Sequence, residues 1–423
     1  MDVAGDAGVT EEVIQTPVDS IGPPTLTTDG ANFFLGYWYQ DVPSTVSVNA
    51  AAVVRFGVDS SATPVWRQLK SADAGFDDVL SSPTIVWSQT YPTFVTVVLV
   101  GTQTGFSGIW SRTLAADTLV PQPTNGTRLL EPSIFIGNPT LFPSGAENAL
   151  RVLLLGGRAV MTFTYNGKLH SWESPFNPPV IYGPDAGQVT ASAFEVRNAV
   201  TIAGLGLAGN KGDYGALVAQ SGDGGVGFSL WTRHVSYQLA SLSGSGFASL
   251  GLAATTLADN HSLIAWSSDT PQGPELRVST ASCTSTAGCA EVPLSDGGTA
   301  VNPGMYPSLA STQLAAYPND VGIGVAQVLV QTSSSGSPVS AVLASVFSSN
   351  PAAPAEPSKF NPPVLLVAGP VDTADAGAAS SPYGRTAIAI AKNGDIMVAW
   401  VEKVTSSTKH VLKARRYTTQ MCP

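Results

Sequence analysis

Aspartates in Gly-rich stretches are the first residues of this sequence whose type and spacing could do chemistry. Carboxylate and carbonyl oxygens bind Ca²⁺, which takes about six to eight oxygen ligands. The dense Asp-x-Asp-x-Asp spacing of a dedicated calcium loop is missing, and Asx turns, in which the side chain bonds the nearby backbone, explain the same residues. Ca²⁺ is therefore the one cofactor that the sequence suggests, and the alternative of none stays open. The candidate ligands are Asp73, Asp185, Asp296 and Asp375.

Histidines and nucleophile motifs add no second candidate. The four histidines lie far apart, and none has the i, i+4 or strand-alternate partner of a metal site. No Gly-x-Ser-x-Gly elbow, phosphate loop or dinucleotide fingerprint stands in a strand-to-helix context, and no segment predicts a helix. The sequence therefore favours neither a zinc enzyme nor a serine or cysteine nucleophile.

The cysteines bear on the compartment. Cys283 and Cys289 bracket Thr-Ser-Thr-Ala-Gly, a loop short and flexible enough for a local disulfide across a hairpin. Such a bond implies an oxidising compartment, whereas two unpaired thiols in a polar loop are the alternative. Cys422 is left over near the C-terminus, and the spacing fits no zinc pattern.

Composition excludes two classes of partner. The net charge is -10 and the 20 basic residues are scattered, so neither nucleic acid nor an anionic membrane surface is expected to bind. No window of about 18 apolar residues predicts a membrane span. The N-terminus has no basic or apolar signal region, so we expect either a cytoplasmic protein or an export signal that has been removed.

β-strands are the elements that must position these residues. Thr386 to Ala391 is an apolar run that meets a Lys-Asn-Gly-Asp turn, and a second apolar run, Ile396 to Val401, follows it. Val411 to Tyr417 then alternates like a half-solvated outer strand. The segment from residue 381 to 417 therefore predicts three consecutive strands.

The same pattern recurs along the chain. Second strands centre near positions 36, 97, 153, 202, 264, 326 and 398, a spacing of roughly 50 to 70 residues that is typical of a propeller. In the second unit, Thr118 to Val120 is the predicted fourth strand. The sequence thus predicts an all-β fold, a seven-bladed β-propeller with four-stranded antiparallel blades. A flexible segment, residues 1–10, precedes a single domain over residues 11–423.

Two irregularities in this repeat explain each other. The last unit has only three strands, and the strand predicted at Val13 to Val18 has no partner nearby. If the N-terminal strand is the outer strand of the last blade, the ring is closed and both exposed edges are paired.

The last unit also resembles a known group of proteins. Its Asn-Gly-Asp turn, the strand that ends in Val398-Ala399-Trp400, and the outer strand that ends in Ala-Arg-Arg-Tyr resemble repeats of bacterial extracellular seven-bladed propellers of the sialidase-like kind. Such propellers carry Asp boxes, Ser-x-Asp-x-Gly-x-x-Trp/Phe turns that hold a hairpin. The resemblance implies this structural role for four residues, which are Ser221, Asp223, Gly225 and Phe228.

Asp-Ala-Gly triplets carry a second resemblance. They recur at Asp6, Asp73, Asp185 and Asp375 and are similar to the low-complexity punctuation of exported myxobacterial lipoproteins. This implies a lipid anchor at the native N-terminus, although no cysteine precedes Asp2.

The resemblance also defines what catalysis would need. A sialidase-like site has three arginines that bind a substrate carboxylate, a Tyr nucleophile with a Glu partner, and an Asp acid. Arg158 and Arg385, near the starts of predicted inner strands, are the pocket candidates, and a surface or interblade position is the alternative for both. No arginine stands in a motif that singles it out, so the sequence predicts no catalytic residue.

These observations predict a non-catalytic binding or scaffold propeller at a bacterial cell surface. Its partner would be a protein or a glycan, and the protein would be a surface lipoprotein, outer-membrane lipoprotein or secreted protein. Two alternatives remain: a glycan-active hydrolase of sialidase-like type and a structural subunit of a surface assembly.

Overall fold

The structure is built from antiparallel β-strands. The computed structural model describes residues 2–3, 11–41, 48–57, 63–69, 78–79, 82–87, 92–103, 106–130, 386–393, 395–404, 407–417 and 419–420, and between residues 151 and 368 it describes strand backbones. Every pairing between these strands is antiparallel, which confirms the predicted all-β class. None of the described residues belongs to a helix that could cross a membrane.

The strands are numbered in chain order. They are β1 (Asp2–Val3), β2 (Glu11–Val18), β3 (Ser20–Ile21), β4 (Thr25–Thr28), β5 (Phe33–Asp41), β6 (Val48–Phe56), β7 (Val65–Gln68), β8 (Asp78–Val79), β9 (Thr84–Trp87), β10 (Phe94–Gln103), β11 (Phe106–Ala115), β12 (Pro121–Leu130), β13 (Arg151–Leu155), β14 (Arg158–Tyr165), β15 (Lys168–Pro175), β16 (Gln188–Leu205), β17 (Asp213–Gly222), β18 (Gly225–Thr232), β19 (Ser236–Leu242), β20 (Leu252–Thr256), β21 (Ser262–Thr270), β22 (Gly273–Ala281), β23 (Thr299–Val301), β24 (Leu309–Ala316), β25 (Ile323–Ser334), β26 (Ser337–Asn350), β27 (Ala353–Phe360), β28 (Val364–Ala368), β29 (Thr386–Ile390), β30 (Ile396–Lys403), β31 (His410–Tyr417) and β32 (Thr419–Gln420).

Strands from opposite ends of the chain form one sheet, which we call the closing sheet. Its order is β2-β31-β30-β29, and the pairing of β2 with β31 runs from Glu11 opposite Arg415 to Val18 opposite His410. The predicted turn joins β29 to β30: the backbone N–H of Asp395 donates to Asn393 Oδ1 at 3.1 Å, and that of Ala391 donates to the carbonyl of Asp395 at 2.8 Å. The prediction that the N-terminal strand is the outer, fourth strand of the last sheet is confirmed. This pairing covers an edge of β31 that would otherwise be exposed.

The next sheet along the chain, the first sheet, is buried on both faces. It consists of β5, β6 and β7, with β3 and β4 both paired to β5. Successive side chains of a strand point to opposite faces. On β5, Phe33, Leu35 and Tyr37 pack with the closing sheet, whereas Phe34 and Trp38 pack with the sheet that follows. Each fully buried side chain of this size contributes about 1.5–3 kcal/mol of transfer free energy.

The second sheet covers the other face of the first sheet. It contains β10, β11 and β12, and both β8 and β9 pair with β10. The sheets approach closely at Gly36, where an added Cβ atom would lie 2.8 Å from the backbone oxygen of Pro83. The hydroxyl of Thr25 donates to that same oxygen at 2.6 Å. Glycine is therefore required at position 36 by close packing between sheets.

One predicted strand of the second unit is wrong. The segment from Thr118 to Val120 is part of a turn, because Leu119 has a φ of 54° and its N–H donates to the carbonyl of Ala115 at 2.8 Å. The fourth strand begins afterwards, at Pro121. Leu119 is buried in the second sheet's core, so its side chain anchors a left-handed turn residue that an isolated Leu would avoid.

The central strands form three further sheets. The orders are β13 through β19 in one seven-stranded ladder, β20-β21-β22-β23, and β24-β25-β26-β27 with β28 also paired to β26. In the ladder, residues 188–195 of β16 pair with β15 and residues 196–205 pair with β17, with register shifts along the strand. The sequence predicts two separate strands here, Val189 to Val196 and Val200 to Leu205, both in the fourth unit. The boundary between the predicted third and fourth units therefore differs from the observed one, because residues 188–195 pair with β15.

Candidate functional site

The residues singled out from the sequence lie mostly outside the described part of the chain. Arg158 begins β14, while Ser221 lies near the end of β17 and Gly225 and Phe228 lie in β18. Gly222 pairs with Gly225, so a hairpin is present at the predicted Asp-box turn. Eight other residues lie outside the described residues, and their roles stay predictions: Asp73, Asp185, Asp223, Cys283, Cys289, Asp296, Asp375 and Arg385.

The described residues offer no metal centre. Among them, no three His, Cys, Asp or Glu side chains come together. His410 binds the backbone instead, with Nδ1 3.0 Å from the carbonyl oxygen of Asp19, so that nitrogen carries the proton.

A cluster of aromatic and amide side chains lies where the closing sheet meets the first sheet, a contact that we call the seam. Trp66 Nε1 donates to the hydroxyl of Tyr37 at 3.0 Å, and that hydroxyl donates to Gln15 Oε1 at 3.1 Å. Gln68 Nε2 donates to the hydroxyl of Tyr39 at 2.9 Å, and the two tyrosine rings lie 5.9 Å apart. Three strands that are distant in sequence, β2, β5 and β7, thus meet in one hydrogen-bonded network, the seam cluster.

The strand pattern explains how this cluster forms. On β7, Trp66 and Gln68 share one face by two-residue alternation, and Leu69 packs on the opposite side with the second sheet. Ala50 and Ala52 of β6 lie between the tyrosines and β7 on the seam face. Their small side chains leave room for the phenol rings to cross β6 and reach the residues of β7.

Burial sets the protonation state of the phenols. It raises the pKa of Tyr37 far above its ordinary value, and the hydrogen bond from Trp66 only partly opposes this effect. Burial also raises the pKa of Tyr39, against the hydrogen bond from Gln68. Both phenols therefore stay protonated at neutral pH, where they act as hydrogen-bond donors and acceptors rather than as phenolate nucleophiles.

Trp66 is the exposed member of the cluster. Its exposed fraction is 48%, although its indole N–H is already bonded to the buried Tyr37 hydroxyl. The half-buried amides of Gln15 and Gln68 flank it on β2 and β7. The arrangement presents a fixed aromatic surface with neutral polar groups beside it, which suits binding rather than acid-base chemistry.

Charged groups hold the two sheets together around this cluster. Lys409 Nζ lies 2.7 Å from Asp19 Oδ1 and 3.1 Å from Asp41 Oδ1, so one ammonium links the residue before β3 to the last residue of β5. The hydrogen bond to Asp19, and to a smaller extent that to Asp41, raises the pKa of Lys409.

A more buried link is made by Arg416. Its guanidinium forms an ion pair with Asp395, donates from Nη1 to the carbonyl of Gly57 at 2.8 Å and lies 5.6 Å from the centre of the Phe33 ring. The side chains of Arg416 and Asp395 are 13% and 4% exposed. The sequence pattern predicts only that this arginine belongs to an outer strand, whereas in the structure its charge connects the closing sheet to the first sheet.

The solved structures that are similar to this chain share little sequence with it. No family model matches, and no curated relative matches. Similar solved structures include the β-propeller domain of the Trilobed protease from Pyrococcus furiosus, with 8% identity, a TM-score of 0.43 and coverage of 94% of this chain and 96% of that one. Others are a mutant of NanB sialidase from Streptococcus pneumoniae (10% identity, TM-score 0.40, coverage 96% and 70%) and the polysaccharide lyase Uly1 (8% identity, TM-score 0.45, coverage 94% and 90%). Similarity at this level concerns the β-propeller fold alone.

Proposed function

We propose that this chain is a β-propeller that binds a neutral glycan without catalysis, and that Trp66 is the centre of the binding surface. The observation that carries the proposal is a half-exposed indole whose N–H is held by a buried hydroxyl. Seven blades, with the ring completed by the pairing of β2 and β31, are the architecture that we propose for the whole chain. The repeat spacing and the composition of the closing sheet support it.

Rigidity makes Trp66 suited to binding. A side chain that is free in solution loses about 0.5–1.5 kcal/mol of conformational freedom when a ligand immobilises it. The bonds from Trp66 to Tyr37 and from Tyr37 to Gln15 fix the indole before any ligand arrives. Most of that loss has therefore already occurred during folding, and the exposed part of the ring is ready for contact.

The chemistry around the indole favours a sugar over a protein. A sugar ring presents C–H groups that pack on an aromatic face and hydroxyls that bond to amides, and Gln15 and Gln68 provide such amides. A stable protein interface would bury about 800 Å² on each partner around an apolar core. Within the described ranges, only three large apolar side chains are strongly exposed: Val13, Trp66 and Val120.

Binding can be tested with one pair of variants. We expect Trp66→Ala to weaken binding of neutral glycans, first identified on a glycan array and then measured by titration calorimetry, by about 10- to 100-fold, as loss of a central aromatic contact does. Trp87→Ala is the matched control, because Trp87 lies on β9 of the second sheet, away from the seam. Equal affinity of the Trp66 variant and the wild type would contradict the proposal. If a pull-down instead recovers a protein whose binding is lost in Trp66→Ala, the ligand is a protein and not a glycan.

The second candidate is hydrolysis of the bound glycan. Solved structures of similar fold include a sialidase and a polysaccharide lyase, and the sequence nominates Arg158 and Arg385 as pocket residues. Incubation of the array ligands with the protein, followed by an assay for new reducing ends, separates the two. Product formation that Arg385→Ala abolishes would make the chain a glycan-active enzyme.

We further propose that the protein is exported to a bacterial surface, with Cys283 bonded to Cys289 and a lipid anchor at the native N-terminus. The Thr-Ser-Thr-Ala-Gly spacing between the two cysteines and the low charge support this proposal. Mass spectrometry of the unreduced protein tests the disulfide, since two alkylatable thiols at these positions would remove the argument for export.

A further inference from the structure

Three arginines lie on the strand faces that pack together where the first and second sheets meet. On β6, Ala51 and Val53 pack with the second sheet, so alternation places Arg55 on that same face. On β7, Arg67 lies between Val65 and Leu69, which also pack with the second sheet. On β11, Arg112 lies between two side chains that pack with the first sheet; these are Trp110 and Leu114.

The strand register brings two of these arginines together within the first sheet. Arg55 pairs with Val65 and Val53 pairs with Arg67, so the two arginines are diagonal neighbours on adjacent strands. Backbones in this relation lie about 7–8 Å apart, well within reach of two guanidinium groups. Charges of the same sign are therefore concentrated at one place in the contact.

Arg55 and Arg67 each have a buried donor atom without an acceptor. The Nε atom of Arg67 is buried and has no hydrogen-bond partner, and among the described residues its side chain makes no ion pair. Arg55 donates from Nη2 to Asn32 Oδ1 at 2.9 Å, but its Nε is likewise buried without a partner. A buried donor left without an acceptor lowers the stability of the fold, and a charged donor lowers it more.

Arg112 adds a third charge from the opposite sheet. The residue is only 1% exposed. Burial lowers the pKa of Arg112, and the nearby charge of Arg67 lowers it further. The charges of Arg67 and Arg112 are thus close enough to disfavour each other, and Arg112 itself is shielded from water.

We propose that this contact is an anion site that takes a small divalent oxyanion, sulfate or phosphate, bound between the sheets by the guanidinium groups of Arg55 and Arg67, with Arg112 contributing charge from the second sheet. A guanidinium has a planar fork of donors that matches oxyanion oxygens. Two negative charges offset the repulsion between the arginines, and the oxygens accept the bonds that both Nε atoms lack. Arg67 is half-buried, so the site lies where an ion from solution can reach it.

Thermal unfolding with added salts tests the site. The wild-type protein is titrated with sodium sulfate, sodium phosphate, sodium acetate and sodium chloride at matched ionic strength, and binding is counted by equilibrium dialysis with labelled sulfate. We expect a saturable rise of the melting temperature at millimolar sulfate or phosphate, one ion per chain, and a smaller response to acetate and chloride. A preference for sulfate or for phosphate identifies which oxyanion the site takes.

Arg67→Gln distinguishes this site from general salt effects. Sulfate stabilises proteins broadly by exclusion, but that effect rises without saturation and persists in any variant. We expect Arg67→Gln to abolish the saturable response, and Lys403→Gln, which removes one exposed positive charge elsewhere, to retain it. An identical response in the wild type and Arg67→Gln would overturn the proposal.

Stability without added anion provides a second readout. If the arginines repel one another, Arg67→Gln melts at or above the wild-type temperature in a dilute chloride buffer. A lower melting temperature there, together with no sulfate response in the wild type, would show that a carboxylate of this chain already occupies the site, and the proposal would be wrong.

Discussion

Replacing Arg416 with Met should strongly destabilise the protein. The substitution keeps much of the side-chain volume but removes the charge that faces Asp395, whose side chain is only 4% exposed. It also removes the bond from Nη1 to Gly57 and the contact with the Phe33 ring. The closing sheet and the first sheet would then face each other around an uncompensated carboxylate.

The expected magnitude follows from burial. Breaking a buried ion pair by removing one partner costs about 3–5 kcal/mol, because the remaining charge stays out of water. That is a large share of the roughly 5–15 kcal/mol by which native proteins are stable. We therefore expect Arg416→Met to lower the midpoint of urea unfolding markedly, followed by tryptophan fluorescence and by circular dichroism. Lys409→Met is the control: it removes one positive charge at the same seam from a more exposed pair, so its loss should be smaller.

A double variant identifies the cause. Replacing both members of a buried pair with apolar residues is often close to neutral. We expect Asp395→Leu combined with Arg416→Met to recover most of the lost stability. If the double variant unfolds at the same midpoint as Arg416→Met, or if Arg416→Met unfolds like the wild type, the buried pair does not connect the sheets in the way described.

Two further predictions concern the seam. In the unfolded chain the Tyr37 phenol loses its proton above its ordinary pKa of 10.0, whereas in the folded protein it keeps the proton. The free energy of unfolding should therefore fall as the pH rises above that value, by up to about 1.4 kcal/mol per pH unit. Urea unfolding between pH 8 and 11 should show a shallower fall for Tyr37→Phe, and parallel curves for the two proteins would refute this assignment. Deletion of residues 1–18 should lower the melting temperature cooperatively, because β31 loses its outer partner and Val18 leaves the core. Deletion of residues 1–10 is the control. An unchanged melting curve in the longer deletion would exclude a structural role for β2.

Strand positions followed from local pattern, and so did the partner of β2. The apolar runs and the Asn-Gly turn of the last unit predict β29 to β31 within a residue or two, since hairpin registers are set by neighbours in sequence. The pairing of β2 was predictable because a strand without a local partner and a sheet without a fourth strand imply each other. Leu119 was not predictable, because its turn depends on burial against the second sheet rather than on the turn preference of leucine.

The candidate surface could not be found from motifs. Gln15, Tyr37 and Trp66 lie on three strands that no spacing rule connects, and their network depends on small alanines that let the tyrosines cross β6. The arginine cluster is similar: Arg55 and Arg67 are related by register, but Arg112 joins them only through packing of one sheet on another. The sequence can predict only the two-residue alternation of β7, which places Trp66 and Gln68 on one side of the strand and Arg67 on the other.

The direction of the β2–β31 ladder determines how the protein would respond to tension. Glu11 lies opposite Arg415, so the two ends of the chain leave the ladder at the same side. Force applied to both ends therefore loads the pairs one after another, as in unzipping, instead of loading them all at once in shear. The Arg416 contacts lie at that end of β31 but join it to Asp395, just before β30, and to the first sheet, not to β2. Under load β2 would peel away at low force while β31 stayed in place, so a chain anchored at one end and attached at the other would yield first at its N-terminal strand.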